Sequence, residues 1–345
     1  MADPSVHPPL AKRAVRVFSR LVGVPLGIAA MLALRLTGRK AGIAVMYHSV
    51  DHRFGDPGRE LVPPHEAGLF EAQIRFLAKH YRVVPAVDLQ TAVRARTRGQ
   101  RFPVAITFDD DLACHESISL PILRRAGVSA TFFLSGASLD RPFSFHFERL
   151  QRAYDAGASD LTGVVSGAPS AAGRASVHAL ALAMVEMPPE ELDSAAERLL
   201  AVAGPDPESA GIRREAVRAL ADSGMTVGFH TLRHDALTGL TDSQLADAME
   251  TGRAELAEAA GAPVDVIGYP GGRCDGRVAD AARAAGFRIG YSTERAPVTP
   301  ASDPLLLGRI GPSLHTVGAL ALEAAFTLRK RGSGRPSPAP GRAPS

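Results

Sequence analysis

Six short β-rich runs, 43–47 (IAVMY), 103–108 (PVAITF), 129–134 (SATFFL), 226–230 (TVGFH), 264–269 (VDVIGY) and 287–291 (FRIGY), alternate with stretches of helical apolar period at 67–80, 116–126, 241–260 and 276–286. A strand, a helix and a further strand in succession favour parallel pairing, because parallel neighbours need a long crossover whereas antiparallel ones are joined by tight turns. The chain is therefore expected to form an α/β fold on a parallel sheet, open or closed into a barrel. Thr241 and Gln244 form a capping box that starts one of its helices. Residues 139–222 break the rhythm, being rich in Ala, Glu and Arg without β-branched runs, and read as a helical insertion.

The ends differ from the body. The 345 residues carry a formal charge of +3, but residues 1–40 hold seven Lys/Arg against Asp3, and 329–345 hold five and no acid. The remaining 41–328 carry 27 Lys/Arg against 35 Asp/Glu, a net −8. An acidic body has no electrostatic attraction for a phosphate backbone, which argues against nucleic acid as a partner. Two cysteines, Cys114 and Cys274, are too few for a disulfide framework or a Cys-rich zinc site.

Residues 21–34 (LVGVPLGIAAMLAL) are uncharged and flanked on both sides by Lys and Arg. The run is shorter than the roughly 20 apolar residues of a membrane span, and no small-x-small cleavage site follows it. Residues 1–40 are read as a basic and apolar segment forming a helix on an anionic membrane surface, with packing on the protein's own surface as the other reading. The expected location is cytoplasmic, at the inner face of the membrane, with secretion as the alternative. The catalytic unit is expected over 41–328, followed by a disordered Pro/Gly/Ser tail over 332–345.

Chemistry gathers at the strand ends. Thr107-Phe108-Asp109-Asp110-Asp111 closes one run, and such strand ends are where α/β folds build sites. Adjacent carboxylates repel, so a cation or a shared proton would hold them together; an N-cap cluster is the plainer reading. Another run ends in His230-Thr231-Leu232-Arg233-His234, whose two imidazoles would share a face if the backbone turned helically there. Two imidazoles and one carboxylate are the ligand count of a catalytic metal site. Gly268-Tyr269-Pro270-Gly271-Gly272-Arg273 allows a tight turn that brings backbone N–H groups to a ligand, and Tyr47-His48-Ser49 ends the first run.

Together TFDD, HTLRH and YPGG, in this order and with LPILRRAGVSATFFLSG after the acids, resemble the polysaccharide deacetylases of the NodB-homology type, carbohydrate esterase family 4, over about residues 41–312. The resemblance implies a distorted (β/α)7 barrel and metal-dependent hydrolysis of the N-acetyl group of an amino sugar. It implies Asp109 as catalytic base and Asp110, His230 and His234 as ligands of one divalent ion, expected to be zinc, with cobalt, nickel or iron also accepted by such a set. MYHSV followed by FEAQIRFLAKHYRVVP resembles the branch in which an early histidine is the general acid, here His48; Leu314-His315 offers His315 instead. Tyr269, Pro270, Gly271 and Gly272 occupy the place of the family's oxyanion loop.

Three positions depart from the family pattern: Asp111 replaces a Gly, Gly268 the Arg that orients the base, and Gly271 a Tyr. Arg233 or Arg273 is a candidate substitute for the missing Arg. His115 and Cys114 lie close to the acids without an evident role, and His65 and His146 read as structural. Two other functions stay open: a catalytically decayed carbohydrate-binding barrel, and a magnesium-dependent phosphohydrolase using Asp109-x-Asp111, which leaves both histidines unexplained. With no Trp and 6% aromatic residues, stacking platforms are few. A short or lipid-linked N-acetylated glycan is the expected substrate, met at the membrane face.

Overall fold

The computed structural model describes residues 19, 21–157, 161, 177–185 and 187–330. The tail 332–345 and most of residues 1–20 lie outside the described residues. The strands are β1 (Ile43–Tyr47), β2 (Val50–Asp51), β3 (His65–Glu66), β4 (Arg82–Val83), β5 (Pro103–Asp109), β6 (Thr131–Leu134), β7 (Thr226–Phe229), β8 (Val266–Gly268) and β9 (Ile289–Tyr291). Seven of them form one curled sheet in the order β1-β5-β6-β7-β8-β9, with β4 beside the first half of β5, and every pairing is parallel. The remaining edges are joined by a segment the periodicity did not reveal. Leu307 bridges Tyr291 and Ile310 bridges Val45, so residues 307–310 run between β9 and β1. A distorted (β/α) barrel is the result.

The alternation along each strand sorts the side chains into two layers. Val104, Ile106 and Phe108 of β5 face the helices, as do Ile43, Val45 and Tyr47 of β1. Ala105 of β5 and Ala44 of β1 face inward with Phe133, Val266, Tyr291 and Leu307. The outer layer is aromatic at its centre: Phe108 stacks on Phe132 at 4.6 Å, and Tyr47 lies 5.5 Å from Phe108. Each such burial contributes about 1.5–3 kcal/mol. Inside, Phe133 fills the lumen opposite two glycines. A Cβ on Gly228 or Gly268 would stand 2.6 or 2.8 Å from its ring, so neither position has room for a side chain.

The helices follow the periodicity, with two differences. The stretch 241–260 is two helices, Asp242–Glu250 and Arg253–Ala260, because Gly252 adopts a left-handed φ of 82° between them; Thr241 caps the first through Gln244 as its sequence implied. The stretch 116–126 begins with a π-helical turn, His115–Ser119. Within 139–222, the helices His146–Asp155, Val177–Val185 and Pro189–Ala203 share a separate small core of Leu150, Leu180, Met184, Leu192 and Leu199. The last helix of that stretch, Arg214–Asp222, instead buries Val217 and Leu220 in the barrel's own core.

Candidate active site

Parallel registration sets Tyr47 beside Phe108, Asp109 beside Phe133 and Gly268 beside Tyr291, so the ends of β1, β5, β7 and β8 open on one rim. His48 follows β1 there, and its Nε2 lies 4.0 Å from Asp109 Oδ2. Neighbouring residues on a strand point to opposite faces, yet Asp109 and Asp110 both serve this rim. Asp110 achieves it with a left-handed φ of 72°. The other described non-glycine residues with positive φ are Thr231 (52°) and His234 (55°), also in the site. Backbone strain of about 1–3 kcal/mol per residue is thus concentrated where side chains must converge. His230 and His234 meet through this irregular turn, not through the helical turn their spacing suggested.

Asp110, His230 and His234 bring one ligand atom each within 4.8 Å of one another. His230 Nδ1 donates to Gly268 O at 2.7 Å, which places the lone pair on Nε2, 3.5 Å from Asp110 Oδ1. His234 Nε2 lies 3.3 Å from the same oxygen. Asp110 Oδ1 is buried and accepts no hydrogen bond, so a cation between these atoms would satisfy it. Burial opposes ionisation of Asp110, but the two imidazoles outweigh it and hold its pKa well below the carboxylate range. The donor set fits a divalent cation.

Asp109 is held by a residue that motif spacing did not find. Arg309, on the segment that joins β9 to β1, is 1% exposed and donates from Nη1 to Oδ1 at 2.6 Å and from Nη2 to Oδ2 at 2.7 Å. Its Nε donates to Ser292 O at 3.0 Å. The role considered for Arg233 or Arg273 therefore falls to Arg309, while Arg233 is engaged by Asp193 and Asp235. Phe133 explains the change at Gly268: its ring fills the space a side chain there would need, and the Arg309 guanidinium sits 5.5 Å from that ring. Burial raises and Arg309 lowers the pKa of Asp109, and the net shift is downward. The one sequence signal was an arginine inside an otherwise apolar run, LLLGRIG.

Asp111 turns away from this pair. It accepts from Ser135 N at 2.7 Å, Ser135 Oγ at 2.6 Å and Ser138 Oγ at 3.2 Å, tying the β5 loop to the β6 loop. His115, fully buried, donates from Nε2 to Asp110 O at 2.9 Å, with Asp109 O at 3.2 Å, and so supports the backbone of both acids. Of the loop amides, Tyr269 N–H donates to Tyr291 O and Gly272 N–H to Tyr269 O, and Pro270 has none. The Gly271 amide makes no backbone hydrogen bond among the described residues. Tyr269 is buried with its hydroxyl on Leu305 O, so its side chain serves the core. His315 follows the seam segment, its N–H on Ser313 Oγ at 3.1 Å.

The insertion walls the site. Phe145 and Phe147 each place a ring 5.2 Å from that of His234, with His146 at 6.4 Å. Burial, then His234 and Arg149, push the pKa of His146 down to about 3, so it is neutral. Glu148 is the reverse case: burial, aided by Asp110 and Asp111, pushes it up to about 8, against the helix-cap bond it accepts from Phe145 N–H. A raised folded pKa adds stability below the unfolded value, and that stability is lost as pH climbs through about 8. The melting temperature of cation-free protein should therefore decline from about pH 5 to pH 8, and Glu148→Gln should flatten that slope. An unchanged slope in the variant would remove Glu148 as its cause.

Residues 96–290, more than half of the chain, match the family described as polysaccharide deacetylase. The chain belongs to the polysaccharide deacetylase family. Members are hydrolases of carbon–nitrogen bonds other than peptide bonds, act on acetylated glycans and are generally metal-dependent. The fold of this deacetylase is similar to that of the deacetylase PplD of Streptococcus pyogenes, solved with acetate: TM-score 0.55 at 16% identity, over 82% of this chain and 98% of that one. IcaB of Ammonifex degensii superposes with a TM-score of 0.53 at 17% identity, covering 82% and 97%. The de-N-acetylase of Aggregatibacter actinomycetemcomitans gives 0.51 at 15%, covering 80% and 95%. No curated protein matches the chain by sequence.

Proposed function

We propose that this deacetylase hydrolyses the N-acetyl group of an amino sugar in a short or lipid-linked glycan, using one divalent cation, zinc first among those its ligands accept. The single observation that carries the reading is the buried acid pair, in which adjacent carboxylates take different partners. Asp110 turns to two imidazoles, and Asp109 to a guanidinium. A cation held by Asp110, His230 and His234 would supply Lewis acidity, lowering the pKa of water from 15.7 toward roughly 7 and polarising the acetamide carbonyl.

The chain's own groups do the rest. Asp109, ionised and held in one orientation by Arg309, takes the proton of the attacking water. The Gly271 N–H donates to the developing oxyanion. His48, beside Asp109, gives a proton to the departing amine, so the products are acetate and a free amino sugar. Beside His48 lies a cavity of about 260 Å³ bounded by Met46, Pro63, His65, Pro312 and Leu314.

The test is acetate release from chitooligosaccharides, peptidoglycan fragments and lipid-linked sugars. Release from short or lipid-linked substrates is expected, and activity confined to long insoluble polymers would count against the proposal. His48→Ala should retain the cation and lose about 10² to 10⁴ in turnover, whereas His315→Ala should be near neutral. The opposite pattern would move the general acid to His315.

A further inference from the structure

The N-terminal helix, Gly23–Arg35, and the C-terminal helix, Val317–Arg329, pack side by side in parallel. Contact is close because small residues face each other. A Cβ on Gly23 would stand 2.8 Å from Gly318, and one on Gly27 would stand 2.7 Å from Ala321. Gly23, Gly27 and Met31 are the buried stripe. The helix is thus docked on the protein by its inner face.

Among the described residues nothing covers the outer face. Leu21, Pro25, Leu26, Ala29, Leu32, Ala33 and Leu36 are exposed, Leu21 at 74% and Leu36 at 65%, and no charged or hydrogen-bonding side chain interrupts them. Positions 21, 25, 29, 32 and 36 form one helical stripe opposite the buried one. Phe326 of the partner helix, 60% exposed, extends the apolar surface. A helix packed on a globular domain ordinarily turns polar residues to solvent, so an all-apolar outer face indicates a non-aqueous neighbour.

Basic residues collar one end of this face. Because the helices are parallel, Arg35, Arg39 and Lys40 meet Arg329 and Lys330. Arg39 bonds Lys330 O, and Lys40 Nζ donates to Arg94 O at 2.7 Å. The loop after Arg94 joins them: Gly99 N–H donates to Arg35 O at 2.8 Å, and Arg98 and Arg101 are exposed. The density of charge is felt at His80, whose pKa is lowered by burial and then by Lys79, Arg101 and Arg35. Glu323, the only acid in the two helices, is already paired with Arg295 at 3.5 Å. A second copy meeting this same face would therefore supply no countercharge for the collar, whereas an anionic leaflet supplies both countercharge and apolar depth. Neither helix is long and apolar enough to cross a bilayer.

We propose that the paired terminal helices are a peripheral docking surface for an anionic lipid bilayer, the Leu21-to-Leu36 stripe and Phe326 entering the interface and the collar binding headgroups. The collar gathers at the barrel end opposite the catalytic rim, near the start of β5, so docking leaves the site open.

The test uses the full chain and phosphatidylcholine vesicles with and without phosphatidylglycerol. Binding should rise at least about tenfold with phosphatidylglycerol and fall again at high salt, since each surface Lys or Arg contributes separately and is screened. The double variant Leu26→Glu/Leu32→Glu should lose about tenfold in vesicle binding or more, with unchanged melting temperature and unchanged acetate release from a soluble substrate. Absence of binding to anionic vesicles would overturn the proposal. So would a solution dimer that the same double variant dissociates, because the face would then belong to a second copy.

Discussion

Asp110→Asn should bind its divalent cation more than about a hundredfold more weakly and release no acetate, because it replaces the one anionic ligand among three by a neutral amide. Asp109→Asn should keep the cation, as measured by metal content of the purified protein, while turnover falls by about 10² to 10⁴, the usual contribution of a positioned base. Both variants should lose stability, so metal content is what separates them. Asp109 neutralises a fully buried guanidinium, so its loss leaves Arg309 uncompensated and should lower stability by about 3–5 kcal/mol. Asp110→Asn should also lower the stability of the cation-free protein, because the two imidazoles hold the pKa of that carboxylate well below the carboxylate range. A purified Asp109→Asn without metal, beside an Asp110→Asn that retains it, would reverse the two roles.

Arg309→Met should be as damaging as a change at Asp109, the proposed base, although residue 309 lies in none of the strand-end motifs. With the guanidinium gone, Asp109 is left buried and unpaired, which costs about 3–5 kcal/mol. Its pKa is now depressed, so the ion pair stabilises the fold above the unfolded value and fails only as pH falls through the lower folded value. In Arg309→Met burial is opposed only by His230 and His48 and the pKa of Asp109 rises, so the acid limb of kcat/KM should move to higher pH. Arg309→Lys keeps the charge but loses the two-pronged geometry, and should restore stability more fully than turnover. Combining Arg309→Met with Asp109→Asn should recover much of the stability each loses alone, since no buried charge is then stranded, with activity still absent. Additive losses in the double variant, or an unmoved acid limb in Arg309→Met, would show that the contact does not tune the base.

Much of this protein is written locally. Period and residue type marked the six strand ends, the capping box at Thr241 and the helix over 67–80, because strands and helices impose repeats that a linear sequence displays. TFDD and HTLRH were legible for the same reason: each is a contiguous cluster of chemistry at the end of an apolar run. What joins them was not. The side-chain directions of Asp110, Thr231 and His234 depend on left-handed backbone that strand ends rarely adopt and that only surrounding packing enforces. His115 supports the acids from a buried π-helical turn, and nothing in its spacing distinguishes it from a core histidine. Arg309 reaches Asp109 across 200 positions, because residues 307–310 are threaded between β9 and β1. The lone arginine in that apolar run has no partner in the linear order, and a charge of that kind acquires a role only when closure of the barrel buries it against a carboxylate. Sequence alone therefore determined the parallel fold class and the groups of chemistry at its strand ends, since both follow from local periodicity. Tertiary structure decided which carboxylate faces the imidazoles, which faces the guanidinium and which residue supplies that guanidinium, because those choices depend on long-range contacts and strained backbone.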